Sequence, residues 1–207
     1  MKPFTLSLLV VLLVFASCGP KPTPNKSEKP VPFSLNELKK RTFYYFWDLA
    51  DSSNFQVLDR YPSRTFSSIA ATGFGLTAYL IGAENGYITR KQAAERVLNT
   101  LQVLKTLPQG PDRQGVAGYK GFFYHFLTLD QALRFKEVEL STIDTGLLMA
   151  GILSAMSYFD KNTPEEKAIR ETADFLYRRV EWDWALNGAK TLSMGWHPEK
   201  GFIPAQW

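Results

Sequence analysis

Cysteine and histidine, the residues that most often build crosslinks and metal centres, are nearly missing from this chain. Among 207 residues there are one cysteine and two histidines. A disulfide framework needs cysteines in pairs, and a structural zinc site needs about four Cys or His ligands, so neither is expected and no metal or other cofactor is implied. Charge of one sign is also scarce. Lys and Arg number 24 against 20 Asp and Glu, a net of +4 spread without runs. That is no footprint for nucleic acid. No glycine-rich phosphate loop, nucleophile elbow or metal-ligand cluster occurs. The apolar run Leu6–Phe15 is too short to span a bilayer comfortably.

What is present begins with an export signal. Lys2 precedes that apolar run, and small Ala16 and Ser17 follow it, directly before Cys18. This is the layout of a secretory signal peptide, and Phe15-Ala16-Ser17-Cys18 resembles a bacterial lipobox. Residues 1–17 are therefore expected to be removed and Cys18 to carry lipid. The protein would then be an exported lipoprotein, held on the periplasmic face or surface of a bacterial envelope, with the membrane as a partner through Cys18. A soluble secreted protein that discards Cys18 is the alternative. Residues 18–33, rich in Pro with Lys, Ser and Asn, form an extended tether. Residues 34–207 make the folded domain.

Five helices are predicted there. Ser34 with Glu37 is a capping box opening a helix to about Ala50. Ser67 or Ser68 opens a second, without charge, to about Ala83, ended by the left-handed turn that Asn85-Gly86 permits. Thr89 with Gln92 is the next capping box, heading a stripe of Ala94, Val97, Leu98 and Leu101. The fourth helix, about 142–159, follows Ser141 and Asp144 and is uncharged from Thr145 to Phe159, so burial all round is expected. Gly146 and Gly151 within it imply close approach by a neighbouring backbone. Thr163-Pro164 starts the fifth, with Pro at the first turn where its missing N–H costs nothing.

Charged amphipathic helices (first, third, fifth) thus alternate with uncharged ones (second, fourth). Links leaving the uncharged helices are short, and links entering them are long. Two concentric helical layers with elaborate loops on one rim describe an all-α fold, an (α/α)6 toroid. Five helices do not close such a ring, so the chain is expected to be truncated within it. Small β-hairpins are expected in the rim loops: residues 121–127 pairing with 134–140, and Trp182–Leu186 pairing with Lys190–Trp196 around Asn187-Gly188. Long loops are usually functional, which places the site on that rim.

Carboxylates and aromatic rings concentrate in these loops, a combination suited to sugars, and glycoside hydrolysis needs two carboxyl groups flanking the bond. Asp144 is at least a helix cap, and the helix dipole favours its charged form, which suits an acceptor for a sugar hydroxyl or a water. Glu139 has no evident structural duty. Asp59 and Arg60 are either a surface ion pair or sugar ligands. Trp182 and Trp184 serve as hairpin packing or as sugar platforms. His125, beside Tyr124 on the first hairpin, is a structural histidine or a ligand of substrate. Trp196 and His197 lie in the last loop.

At this point a resemblance becomes specific. Gly121-Phe-Phe-Tyr-His-Phe126, then Glu139-Leu-Ser-Thr-Ile-Asp-Thr-Gly-Leu-Leu-Met-Ala-Gly151, then Gly195-Trp-His-Pro-Glu-Lys-Gly-Phe202 resemble, in that order, the glycoamylase-like domain family. That family includes glycoside hydrolase family 144, the β-1,2-glucanases. The resemblance implies an (α/α)6 barrel, a glucan partner, metal-free acid–base hydrolysis and a lipoprotein setting. Matching positions are Glu139 and Asp144 as catalytic candidates, with Tyr124 and His125. It also implies continuation beyond Trp207 with a segment like Trp-x-Gly-Tyr-Asp-Glu-Ala that opens the next inner helix, so hydrolysis by the 207 residues alone is not expected. A non-catalytic glycan-binding lipoprotein and a functionless fragment of a disrupted gene are the competing possibilities.

Overall fold

The computed structural model describes residues 34–207. The expected signal peptide, Cys18 and the whole of the expected tether lie outside these residues. Among the described residues, no helix is long and apolar enough to cross a membrane.

Five helices carry the domain: α1 (Leu35–Leu49), α2 (Ile69–Glu84), α3 (Arg90–Thr106), α4 (Thr142–Tyr158) and α5 (Pro164–Arg178). A single turn, α6 (Trp182–Ala185), follows. The residues heading α2, α3, α4 and α5 act as caps, with Ser141 rather than Asp144 capping α4. Thr89 and Gln92 close a reciprocal box at α3, while Ser68, Ser141 and Thr163 accept from the third backbone N–H of α2, α4 and α5. Each removes one of the unpaired donors of a first turn. Asn85 and left-handed Gly86 end α2.

Helices α2 and α4 lie against each other, α1 and α3 pack on α2, and α5 packs on both α3 and α4. The central contact depends on glycine. A Cβ on Gly151 would stand 2.1 Å from the carbonyl oxygen of Gly73, and one on Gly73 would stand 2.6 Å from that of Leu147. The backbones therefore touch with no side chain between them. Gly146 differs from the expectation, since a Cβ there meets nothing within 4 Å. The uncharged helices are also not buried all round. Phe74 and Ile81 of α2 and Leu147 of α4 are exposed.

The rim holds more sheet than an all-α fold with hairpins implies. Strands β2 (Gly118–Tyr119), β3 (Phe122–Tyr124), β5 (Leu140–Ser141), β6 (Gly195–His197) and β7 (Gly201–Phe202) form one antiparallel sheet in that order. Separately, β1 (Ser67–Ser68) pairs with β4 (Phe126–Leu127). The first expected hairpin exists as the pairing of β3 with β5 and a Leu127–Arg134 bridge. The second does not. Trp182–Ala185 is helical, and Asn187 and Gly188, both left-handed, end that turn rather than joining two strands. Lacking a partner strand on its own side, the Asn-Gly turn serves as a helix stop, and β6 pairs with β5 and β7 instead.

Candidate active site

The two sheets are tied to the starts of the uncharged helices α2 and α4. Strand β1 runs into α2 and β5 runs into α4, so the segment 122–127 pairs through β3 with the approach to α4 and through β4 with the approach to α2. His125 is the junction. Its N–H donates to the Glu139 carbonyl at 3.0 Å, and its own carbonyl accepts from the N–H of Ile69 at 3.2 Å. The ring stacks on Phe126 at 3.8 Å.

Strand alternation then sorts the candidates. Tyr124, Leu140, Trp196 and Phe202 are successive cross-strand partners and share one face. One residue along, the same register carries His125, Glu139, His197 and Gly201 onto the other. Glu139 thus stands between the two histidines. Its Oε1 lies 2.7 Å from His125 Nδ1, with His125 31% and Glu139 29% exposed in their side chains. Asp144 approaches from the first turn of α4. Its Oδ2 accepts from the Ser141 hydroxyl at 2.5 Å, and its Oδ1 lies 3.7 Å from His125 Nε2, an ion-pair distance rather than a hydrogen bond.

These contacts set the protonation of the pair. Burial opposes charge on His125, but the Glu139 hydrogen bond and the charges of Asp144, Glu139 and Asp59 outweigh it and raise the imidazole above its ordinary value. Burial likewise opposes charge on Glu139, and the His125 hydrogen bond with the charges of His125 and His197 holds it below the ordinary carboxylate range. Glu139 therefore has the structural duty that its sequence position concealed, and it rests as a carboxylate. In that state it accepts a hydrogen bond or a proton and does not donate one.

The sign of the pH dependence follows. A raised histidine contributes stability fully below about pH 6.5 and loses it as pH rises through its higher folded value. A lowered glutamate contributes fully above about pH 4.3 and loses it as pH falls through its lower folded value. The difference in melting temperature between the parent and Glu139→Gln is expected to peak near about pH 5–6 and to shrink on both sides. A difference that stays flat across pH 3–9 would rule out the charged pair.

The remaining candidates divide. Asp59 reaches the site electrostatically, since its charge acts on His125, and it pairs with Arg60 at 2.5 Å. Arg60 lies over Phe66, which packs on Phe126 beside His125. His197 faces Glu139. Tyr124 is fully buried, so it cannot touch a sugar. Trp182, Trp184 and Trp196 gather with Tyr119, Phe122 and Phe202. Of these, Tyr119, Phe122, Trp196 and Phe202 occupy the sheet face opposite Glu139. The three tryptophans pack together while remaining half-buried, and the alternation that separates Trp196 from Glu139 could have been read only with the strand register in hand. Trp207, absent from the expected site, is 55% exposed, and its indole N–H donates to Thr142 Oγ1 at the start of α4.

Among the described residues no cluster of His, Cys, Asp and Glu is able to hold a metal ion. No protein-family model matches the sequence. The chain is 27% identical over 177 residues to the exo-β-1,2-glucooligosaccharide sophorohydrolase (non-reducing end) of Parabacteroides distasonis, a match covering 82% of this chain and 23% of that protein. Its fold is similar to the endo-β-1,2-glucanase of Chitinophaga pinensis in complex with sophorotriose and glucose, with a TM-score of 0.68 and 27% identity over 80% of this chain and 40% of the other. A β-1,2-glucanase from Parabacteroides distasonis gives a TM-score of 0.70 and 25% identity over 82% of this chain and 25% of the other. The chain spans less than half the length of each of these three proteins. Along most of its own length, in sequence and in fold, it is similar to these β-1,2-glucan hydrolases.

Proposed function

We propose that this chain supplies one wall of the cleft of an exported lipoprotein that hydrolyses β-1,2-linked glucan by carboxylate acid–base chemistry. The observation that carries the proposal is the row His125–Glu139–His197 with Asp144 beside it, at the rim where both inner helices begin. Asp144 keeps Oδ1 available beyond its bond from Ser141 and accepts a hydrogen bond from a sugar hydroxyl or a water. Glu139, ionised, orients the sugar or takes a proton. Since Glu139 does not donate, the general acid is proposed to lie in the part of the cleft that the longer relatives possess beyond the shared stretch. The 207 residues alone then bind glucan without turning it over. The helical arrangement is proposed to be part of an (α/α)6 toroid, and Cys18 to carry the lipid.

Calorimetric titration with a β-1,2-linked glucooligosaccharide tests the assignment. Saturable binding is expected, lost in the double variant Glu139→Gln/Asp144→Asn. A parent that binds no β-1,2-glucan contradicts the proposal. Binding without hydrolysis by the protein expressed from its full reading frame would make it a glycan-binding lipoprotein instead. Labelled fatty acid incorporated by the parent and lost in Cys18→Ala checks the anchor.

A further inference from the structure

Three residues adjoin the site without belonging to it. Tyr124 precedes His125, Val138 precedes Glu139, and Glu199 lies two positions beyond His197. All three meet one side chain, Arg134, whose guanidinium end is sealed from water at 1% side-chain exposure. Its Nε donates to the Val138 carbonyl at 2.8 Å. Its Nη1 and Nη2 donate to the two carboxylate oxygens of Glu199 at 2.7 and 3.1 Å. Nη1 also donates to the Arg113 carbonyl at 3.2 Å. The guanidinium lies over the Tyr124 ring, 4.6 Å from its centroid. The backbone of Arg134 is fixed as well, its N–H donating to the Val116 carbonyl.

We propose that Arg134 is a positioning residue for the glucan site, setting the spacing of His125, Glu139 and His197 by gripping the chain beside each. The inference rests on the functional reading of that row given above. The geometry requires arginine. A planar fork holds both oxygens of Glu199 in fixed directions while Nε remains for Val138, which a lysine ammonium cannot reproduce. Apolar packing would hold the same three segments together, but without fixing direction. The hydrogen bond to Arg134 and its charge lower Glu199 to about 2, so the fork persists wherever the site would work. Breaking one side leaves the other as a buried, unpaired charge.

Arg134→Lys and Glu199→Gln, made in the protein expressed from its full reading frame, provide the test. Glu199→Gln is nearly isosteric and remains informative if Arg134→Lys fails to fold. The first readout is the titration of the His125 ring by NMR, since that ring is faced by Glu139, Asp144 and Asp59 and reports their spacing. Its midpoint is expected to fall toward the ordinary histidine value in both variants. The second is steady-state hydrolysis of β-1,2-glucan. A sub-ångström to ångström displacement of reacting groups is expected to lower kcat on the order of 10- to 100-fold, with KM nearly unchanged. A folded Glu199→Gln protein that melts earlier but titrates His125 as the parent does would overturn the proposal and leave Arg134 a structural lock. If the parent neither binds nor hydrolyses β-1,2-glucan, the site assignment fails, and the His125 titration still decides whether Arg134 sets the row.

Discussion

Asp144→Asn is expected to leave the domain folded and to lower turnover of β-1,2-glucan at least about a hundredfold. Removing a positioned catalytic group costs on the order of 10²–10⁴ in rate, whereas losing a helix cap costs about 1 kcal/mol of stability. The substitution separates the two. The cap of α4 is the Ser141 oxygen, which accepts from the Asp144 N–H at 3.1 Å and is untouched. An asparagine carbonyl still accepts from the Ser141 hydroxyl, as Oδ2 does now. Only the negative charge near His125 disappears. Reducing ends released from β-1,2-glucan, measured on the protein expressed from its full reading frame, together with a thermal melt, check both halves. Turnover close to that of the parent would make Asp144 a helix-end residue and nothing more.

Two glycines of the same helix are expected to respond to alanine with opposite signs. In an ordinary helix interior, Gly→Ala stabilises by about 1 kcal/mol. Gly146→Ala should show this, because the new methyl meets nothing within 4 Å. Gly151→Ala places a methyl 2.1 Å from the Gly73 carbonyl oxygen, where no flexible side chain can move aside. The α2–α4 contact must then open. Overpacking of this kind costs about 1–3 kcal/mol and occasionally more, so a net destabilisation of at least about 2 kcal/mol is expected, with a lower denaturation midpoint. Equal midpoints for the two variants would show that α2 and α4 do not meet through these backbones.

The helices were legible because their signals are local. Capping hydroxyls at Ser68, Thr89, Ser141 and Thr163 and the stop at Asn85-Gly86 act within one turn of chain, and each fell where the sequence placed it. The fault at Asn187-Gly188 was equally local in origin. A left-handed dipeptide reverses a hairpin or ends a helix with the same backbone angles, and only the presence of a partner strand distinguishes them.

By itself, then, the amino-acid sequence determined the helical order, the alternation of charged and uncharged helices, and the long loops as the place where carboxylates collect. Only the tertiary structure decided which of those groups meet. Glu139 and His125 are 14 residues apart, and His197 is farther still; they face one another because strand register, fixed by pairing across the sheet, turns alternate residues to opposite sides. The same register sends Tyr124 and Trp196 away from the carboxylates. Arg134 carried no motif at all, since its importance lies in contacts with chain segments whose proximity exists only after folding.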